Sequence, residues 1–490
     1  MSLYHSAGLY GFLGSVVLFY VVSRIWGGKP KTVKQFFHDR SLRLNVFSLV
    51  AANLALGTGA VYVLQGTRAF GALYLLLPVM LLLGQLFFAR FVLKWAPEEL
   101  FKHGTLLAGL GEGLDNLAER KIHFQRKTTS YIILTYFFSL CYEIFVSANL
   151  LQKAIFPAAG VLGEISVTFL LMAFVLTYTI TGGYRTVQRT DFMQVWLGFI
   201  FMVILAYLLL KGPPLPAATK SPWTPTRAHD WLAFATMMLT PFTAQIYGIL
   251  NHSMASHQEK RADQQELFYW ACFPLLCVYL ISASVALYYN HSKGDAYAAL
   301  AGWLSGTVHV AGWLSSSWAL ALAAVAMGAM IMSTVDTLTI TVVQNAFEGI
   351  FGGDSKSDNQ DAAELKKIRI AMLVIFPAAF LTLAWLWWTR PPALTLLFAV
   401  ASPCEALAPL VVCMTYLASR NNIGATLRPV AWKIRYIDLY FCILLPATLI
   451  VASVLISRHS EWTRAVGFFA FAISAGLSLL AAFGPGANKP

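Results

Sequence analysis

Charge is scarce in this chain. Of its 490 residues only 12% are Asp, Glu, Lys or Arg, while 58% are hydrophobic. Soluble domains carry about 25% charged residues. So few ionisable groups cannot clothe a folded surface for water, which excludes an ordinary soluble enzyme. Cysteine is nearly absent too. The six, Cys141, Cys272, Cys277, Cys404, Cys413 and Cys442, fall in apolar runs with no metal-like spacing, and read as small buried apolar residues. There is no Gly-rich phosphate loop closed by Lys and Ser or Thr, so direct ATP drive lacks its binding loop. No linker or polar block is long enough for a second folded domain. The chain reads as one transmembrane domain over 1–490.

What is abundant is the apolar run of about 20 residues, the length of a membrane-crossing helix. The runs are continuous rather than alternating, which argues against a β-barrel. Thirteen spans are expected, near 8–27, 44–66, 70–95, 128–152, 160–181, 190–211, 229–250, 266–289, 316–349, 367–388, 392–418, 436–457 and 464–484. The first lacks a basic flank and a small-residue cleavage site, so it reads as an uncleaved helix. The net charge of +12 is topology, not a nucleic-acid footprint. Of the 35 Lys and Arg, only Arg68, Lys153, Lys211, Lys220, Arg227, Lys293, Arg390, Arg458 and Arg464 fall on one side. The positive-inside rule then places the N-terminus out and the C-terminus in, with the basic face attracted to anionic membrane lipid. A short amphipathic helix is expected at 108–121 in an inside loop.

Two spans carry helix breakers. The second reads Asn53-Leu54-Ala55-Leu56-Gly57-Thr58-Gly59. The seventh reads Leu239-Thr240-Pro241-Phe242-Thr243-Ala244-Gln245, with Gly248 beyond. Interruptions at matching positions of two halves point to discontinuous helices around a midplane site. Gly and Pro are also common in membrane helices at large. Spans five apart bound two five-helix units, 44–211 and 229–418. An odd unit forces the second to cross in the opposite sense, so the fold is an inverted repeat with one extra helix at 8–27 and two at 436–484.

The stretch Met332-Ser333-Thr334-Val335-Asp336-Thr337 lies inside the ninth span. Ser333, Asp336 and Thr337 share one helix face at spacings of three and four, with Thr334 beside them. A carboxylate and hydroxyls at that depth are costly and usually face a cavity or an ion; hard oxygens suit a small hard cation. The competing reading is that the hydroxyls bond their own helix carbonyls. Free carbonyls from the broken second span, around Asn53 to Leu56, would complete a cation shell. Asp191 opens span 6 and reads either as a functional acid or as an interfacial N-cap. Glu143 and Glu405 are acids inside spans with no local cation: each is a solute ligand, a proton site or a protonated hydrogen bonder.

Three motifs resemble the sodium/solute symporter family. Phe36-Phe37-His38-Asp39-Arg40-Ser41-Leu42 is similar to the family's lead-in to its second span. Gly182-Gly183-Tyr184-Arg185-Thr186-Val187 with Thr190-Asp191-Phe192-Met193-Gln194 is similar to its "GGLRAV…TDVVQ". Met332-Ser333-Thr334-Val335-Asp336 is similar to its "MSTAD". The resemblance implies a five-plus-five inverted-repeat transporter with sodium between spans 2 and 9. Ser333 and Thr334 would supply hydroxyls, and Asn53, Leu56 and Met330 carbonyls. It implies a second sodium site at Asp191, Asp336 and Thr337 in some members. The chain departs from the family pattern at Asn251-His252, Glu405 and Glu143. The expected function is sodium-coupled symport of a small organic solute by alternating access, with a proton replacing or accompanying sodium as an alternative. It is not that of an enzyme. Expected solute contacts are Asn53, Thr58, Gln65, Glu143, Thr240, Gln245 and Glu405. The expected location is the plasma membrane, a bacterial inner membrane. A solute sensor signalling through a separate protein, and a passive channel, are the other classes. Neither the solute nor an oligomeric state can be read from the sequence.

Overall fold

The computed structural model describes residues 3–38, 41–96, 124–215, 228–258, 260–357, 362–420, 444–457 and 461–483. The expected helix at 108–121, the beginning of span 12, Cys442 and the last seven residues lie outside them. Every regular element among the described residues is helical. A membrane interior requires this, because backbone groups there must find their partners within the segment. The chain is therefore an all-α, multi-pass membrane protein.

Among the described residues, nine helical stretches are long and apolar enough to cross a membrane, fewer than the thirteen spans expected. The difference is bends, not missing helices. Gly160–Lys211 has 52 residues and would reach about 78 Å if straight, against a hydrocarbon core of ~30 Å. It bends at Gly183, whose φ of 62° is the left-handed region that costs other residues about 1–2 kcal/mol. Spans 5 and 6 are its two arms. Leu56–Trp95 likewise joins the second half of span 2 to span 3. Leu445–Ser457 and Val466–Phe483, shorter, stand for spans 12 and 13.

In chain order the helices are α1 (Leu3–Val22), α2 (Val33–Phe37), α3 (Leu42–Asn53), α4 (Tyr62–Phe70), α5 (Leu76–Phe87), α6 (Leu93–Trp95), α7 (Phe124–Ile155) and α8 (Gly160–Lys211). There follow α9 (Ala228–Tyr247), α10 (Ile249–Ser256), α11 (Arg261–Ser292), α12 (Ala296–Leu304), α13 (Ser317–Gly349), α14 (Ala362–Thr389), α15 (Ala393–Arg420), α16 (Leu445–Ser457) and α17 (Val466–Phe483). The core is α13, packed on α1, α7 and α8. Its first half is rich in Ala and Gly, and small residues let membrane helices approach closely. On the far side α15 packs on α17 and α9. Cys141, Cys272 and Cys413 are buried thiols and Cys277 is half-buried.

The loop assignment made from charge can be checked by which ends meet. Arg68 pairs with Asp295, Arg390 with Glu164 at 3.0 Å, and Lys293 Nζ donates to the carbonyls of Leu210 and Gly212. All of these belong to segments expected outside. At the other end the Lys34 amide donates to the Ser357 carbonyl, and Arg261 donates to the carbonyls of Lys94 and Ala96. Segments expected on one side do meet one another.

Candidate functional site

The second span breaks where its sequence allows. Helix α3 ends at Asn53, Leu54 leaves helical geometry, and Ala55 is extended with ψ 150°. A broken helix exposes amides on one side and carbonyls on the other. Glu143 of α7 meets the amides: the Gly57 N–H donates to Oε1 at 2.7 Å and the Thr58 N–H to Oε2 at 2.8 Å. Ser147, one turn on, donates to Oε1 at 2.9 Å. Gly57 has no room for a side chain, since a Cβ there would meet the Glu143 carboxylate. On the carbonyl side, the Tyr279 hydroxyl of α11 donates to Asn53 O.

The seventh span breaks later than expected. Helix α9 continues through Pro241, and the interruption is at Gly248, with ψ 104°. Its freed carbonyls are met from within the same span. Asn251 Nδ2 donates to Gln245 O at 2.8 Å, and His252 Nε2 lies 2.7 Å from Ile246 O. The Asn251-His252 pair, noted as a departure in sequence, thus closes this break.

Between α3, α8 and α13 lies a buried cluster of oxygens. Asp191 accepts from Ser48 at 2.5 Å and from Ser333 at 2.7 Å. Asp336 accepts from the Tyr178 hydroxyl and from Thr337 at 3.3 Å, and lies within reach of the Asp191 charge. Both aspartates are 0% exposed. Asp191 is no interfacial N-cap: it sits eight residues beyond the Gly183 bend, inside α8. Among the described residues no Lys, Arg or His pairs with either carboxylate. Two buried carboxylates without a cation are costly. Carboxylate and hydroxyl oxygens are the donor set that a hard cation takes, so these residues fit sodium.

The residues expected around sodium fall in different places. Ser333 faces Asp191 rather than the break. Thr334 donates to the Met330 carbonyl at 3.2 Å, the back-bonding alternative raised for these hydroxyls. Asn53 O faces Tyr279, and Leu56 begins the segment beyond the break. Ser333, named for the first expected site, lies with Asp191, and Thr337 lies with Asp336, both named for the second. Ser48 and Tyr178 were missed. A signal for Ser48 existed: Asn45 and Ser48 share a face of α3, and they meet Tyr184, Gln188 and Asp191 on one face of α8.

Beside the break is a cavity of about 200 Å³, lined by Asn53, Thr58, Tyr62, Tyr142, Thr240, Gln245 and Tyr279, together with apolar side chains from α5, α9 and α15. Of the expected solute contacts, Asn53, Thr58, Thr240 and Gln245 line it. Gln65 does not; it is half-buried on α4. Glu143 does not either, because its oxygens are committed to the break. Glu405 stands one side chain behind, its Oε1 against the Thr240 hydroxyl. Tyr142 and Tyr279 were missed; nothing in their local sequence separates them from the many membrane aromatics.

No protein-family model matches the chain, and no curated protein matches it. Among solved structures it is similar to one described as the substrate-bound outward-open state of a sodium-coupled sialic acid symporter with a novel sodium site. The identity is 12% and the TM-score 0.65, over 97% of this chain and 96% of that one. Two chains that overlay nearly end to end share a fold, here an all-α polytopic one.

Proposed function

We propose that the chain is a sodium-coupled symporter of a small organic solute, of the sodium/solute symporter type, working by alternating access in a bacterial inner membrane. The observation that carries this is the pair Asp191 and Asp336, buried among hydroxyls with no cationic side chain paired to them among the described residues. They lie close to a helix break that opens onto a cavity: Ser48 is five residues from Asn53, about 7.5 Å along α3. Sodium, as co-transported substrate, would be held by Asp191, Ser333, Ser48, Asp336 and Thr337. The solute would bind against Asn53, Thr58, Thr240 and Gln245. The broken helices at 54–55 and 248, five spans apart, support two inverted units over 44–211 and 229–418. The similar fold of a sodium-coupled sialic acid symporter supports the same coupling. The membrane potential supplies about 2.3 kcal/mol per charge per 100 mV, enough to drive accumulation.

The test is thermal stability of the purified protein in sodium, lithium and potassium at matched ionic strength. A ligand binding only the folded state at 100 times its Kd stabilises by about 2.7 kcal/mol. We expect a sodium-specific rise that Ser333→Ala and Asp191→Asn abolish. Equal stability in all three cations would remove sodium from this cluster.

A further inference from the structure

Glu405 has a chemistry that the sodium cluster does not use. It is 0% exposed at the junction of α15, α9 and α17. Its Oε1 lies within hydrogen-bond distance of Thr240 Oγ1, and its Oε2 has no partner among the described residues. A Cβ on Gly467 of α17 would collide with that oxygen. The lack of a side chain at Gly467 is what lets the carboxyl lie against the helix.

A threonine hydroxyl has one proton to give and can accept others. Thr240 Oγ1 lies against Glu405 Oε1 and 2.8 Å from the Thr236 carbonyl of its own helix. Given to Glu405, its one proton meets a carboxylate; given to Thr236, it leaves Thr240 Oγ1 to accept from a protonated Glu405. The bond carries Glu405 in either state, and the second carboxyl oxygen decides between them. A charged carboxylate in the same place would have one oxygen entirely unpartnered in a buried site, which costs far more than an unpartnered neutral carbonyl.

Among the described residues no charge compensates it. From α9 it faces Thr236 and Thr240, from α17 Gly467, and from α4 the Tyr62 phenol, whose hydroxyl also has no partner. Among the described residues no Lys, Arg or His faces it from any of the packed helices.

We propose that Glu405 is a reversible proton-binding site, exchanging with the cavity through Thr240. Thr240 lines the cavity and hydrogen-bonds to Glu405, so it is the link between the acid and cavity water. In the release step the Thr240 hydroxyl turns from the Thr236 carbonyl to a cavity water and gives up its proton there, while the Glu405 proton passes to Thr240 Oγ1. The net change is one proton lost to water and one carboxylate left at Glu405. The site is separate from Asp191 and Asp336 and stands whether or not sodium binds there.

The experiment is infrared spectroscopy of the purified full-length protein against pH, comparing wild type with Glu405→Gln and Thr240→Val. We expect one protonated-carboxyl C=O band present in wild type and lost in Glu405→Gln. It should weaken as pH rises, and shift to higher frequency in Thr240→Val, where the hydrogen-bond acceptor is gone. No band lost in Glu405→Gln, or a band whose intensity ignores pH across the folded range, overturns the proposal. If Glu405→Gln does not fold, Thr240→Val decides alone, and an unshifted spectrum overturns it. Sodium-dependent thermal stability measured on the same samples reads the sodium cluster separately, so failure of one reading is distinguishable from failure of the other.

Discussion

The two interrupted helices are held in opposite ways. The break at Leu54-Ala55 is held from outside: its amides meet Glu143 on α7, and its freed carbonyl meets Tyr279 on α11. The break at Gly248 is held from inside: Asn251 and His252, one turn on, satisfy the carbonyls of Gln245 and Ile246. The difference concerns motion. Helices α9 and α10 can tilt as one piece without losing a hydrogen bond at their break. The first break cannot move away from α7 or α11 without exposing amides or a carbonyl. The first break is thus the one tied to its neighbours, and it is the one that stands beside the oxygen cluster.

The largest effect should follow from removing the external cap. Glu143→Ala leaves two buried amides and Ser147 without an acceptor and opens a cavity. At about 1–3 kcal/mol for each orphaned group, plus the void, the loss should be about 3–5 kcal/mol, measured by denaturant unfolding in detergent. A loss under about 1 kcal/mol would mean that solvent satisfies the break and that Glu143 is free for a solute. Next comes Tyr279→Phe, which frees one carbonyl and should cost about 1–2 kcal/mol. The two residues serve one break, so their double variant should be non-additive.

Much of the fold was legible because membrane helices announce themselves by length and hydropathy. All thirteen expected spans have helical counterparts among the described residues, the twelfth from residue 445 on, and the bend at Gly183 falls between the expected spans 5 and 6. The break at Asn53 to Gly57 was legible from its glycines. Of the breakers named in the seventh span, Gly248 and not Pro241 interrupts it, since a proline within a membrane helix is accommodated by its neighbours. The acids were legible as candidates, but their partners were not. Whether Glu143 faces a solute or a helix end depends on the register of α7 against α4, a tertiary fact. The sequence spacing of Ser333 and Asp336 could place them on one face of α13, yet could not say that Ser48 and Tyr178 would face them. Asn251 was noticed only as a departure from a family pattern, because its hydrogen bonds close across the break at Gly248.

The smallest effect should come from the self-contained break, and it sharpens the comparison most. Asn251→Ala removes one donor to Gln245, worth about 1 kcal/mol, and His252 still holds the next carbonyl. The informative measurement is the double variant Glu143→Ala with Asn251→Ala. If the second break is closed within its own span, the two losses should add to within about 0.5 kcal/mol, as independent sites do. A coupling energy above about 1 kcal/mol would mean that the two breaks share a mechanical path. Gln245, which lines the cavity with Asn53, is the residue through which that path would run. Additivity would instead mean that each break is held by its own hydrogen bonds, independently of the other.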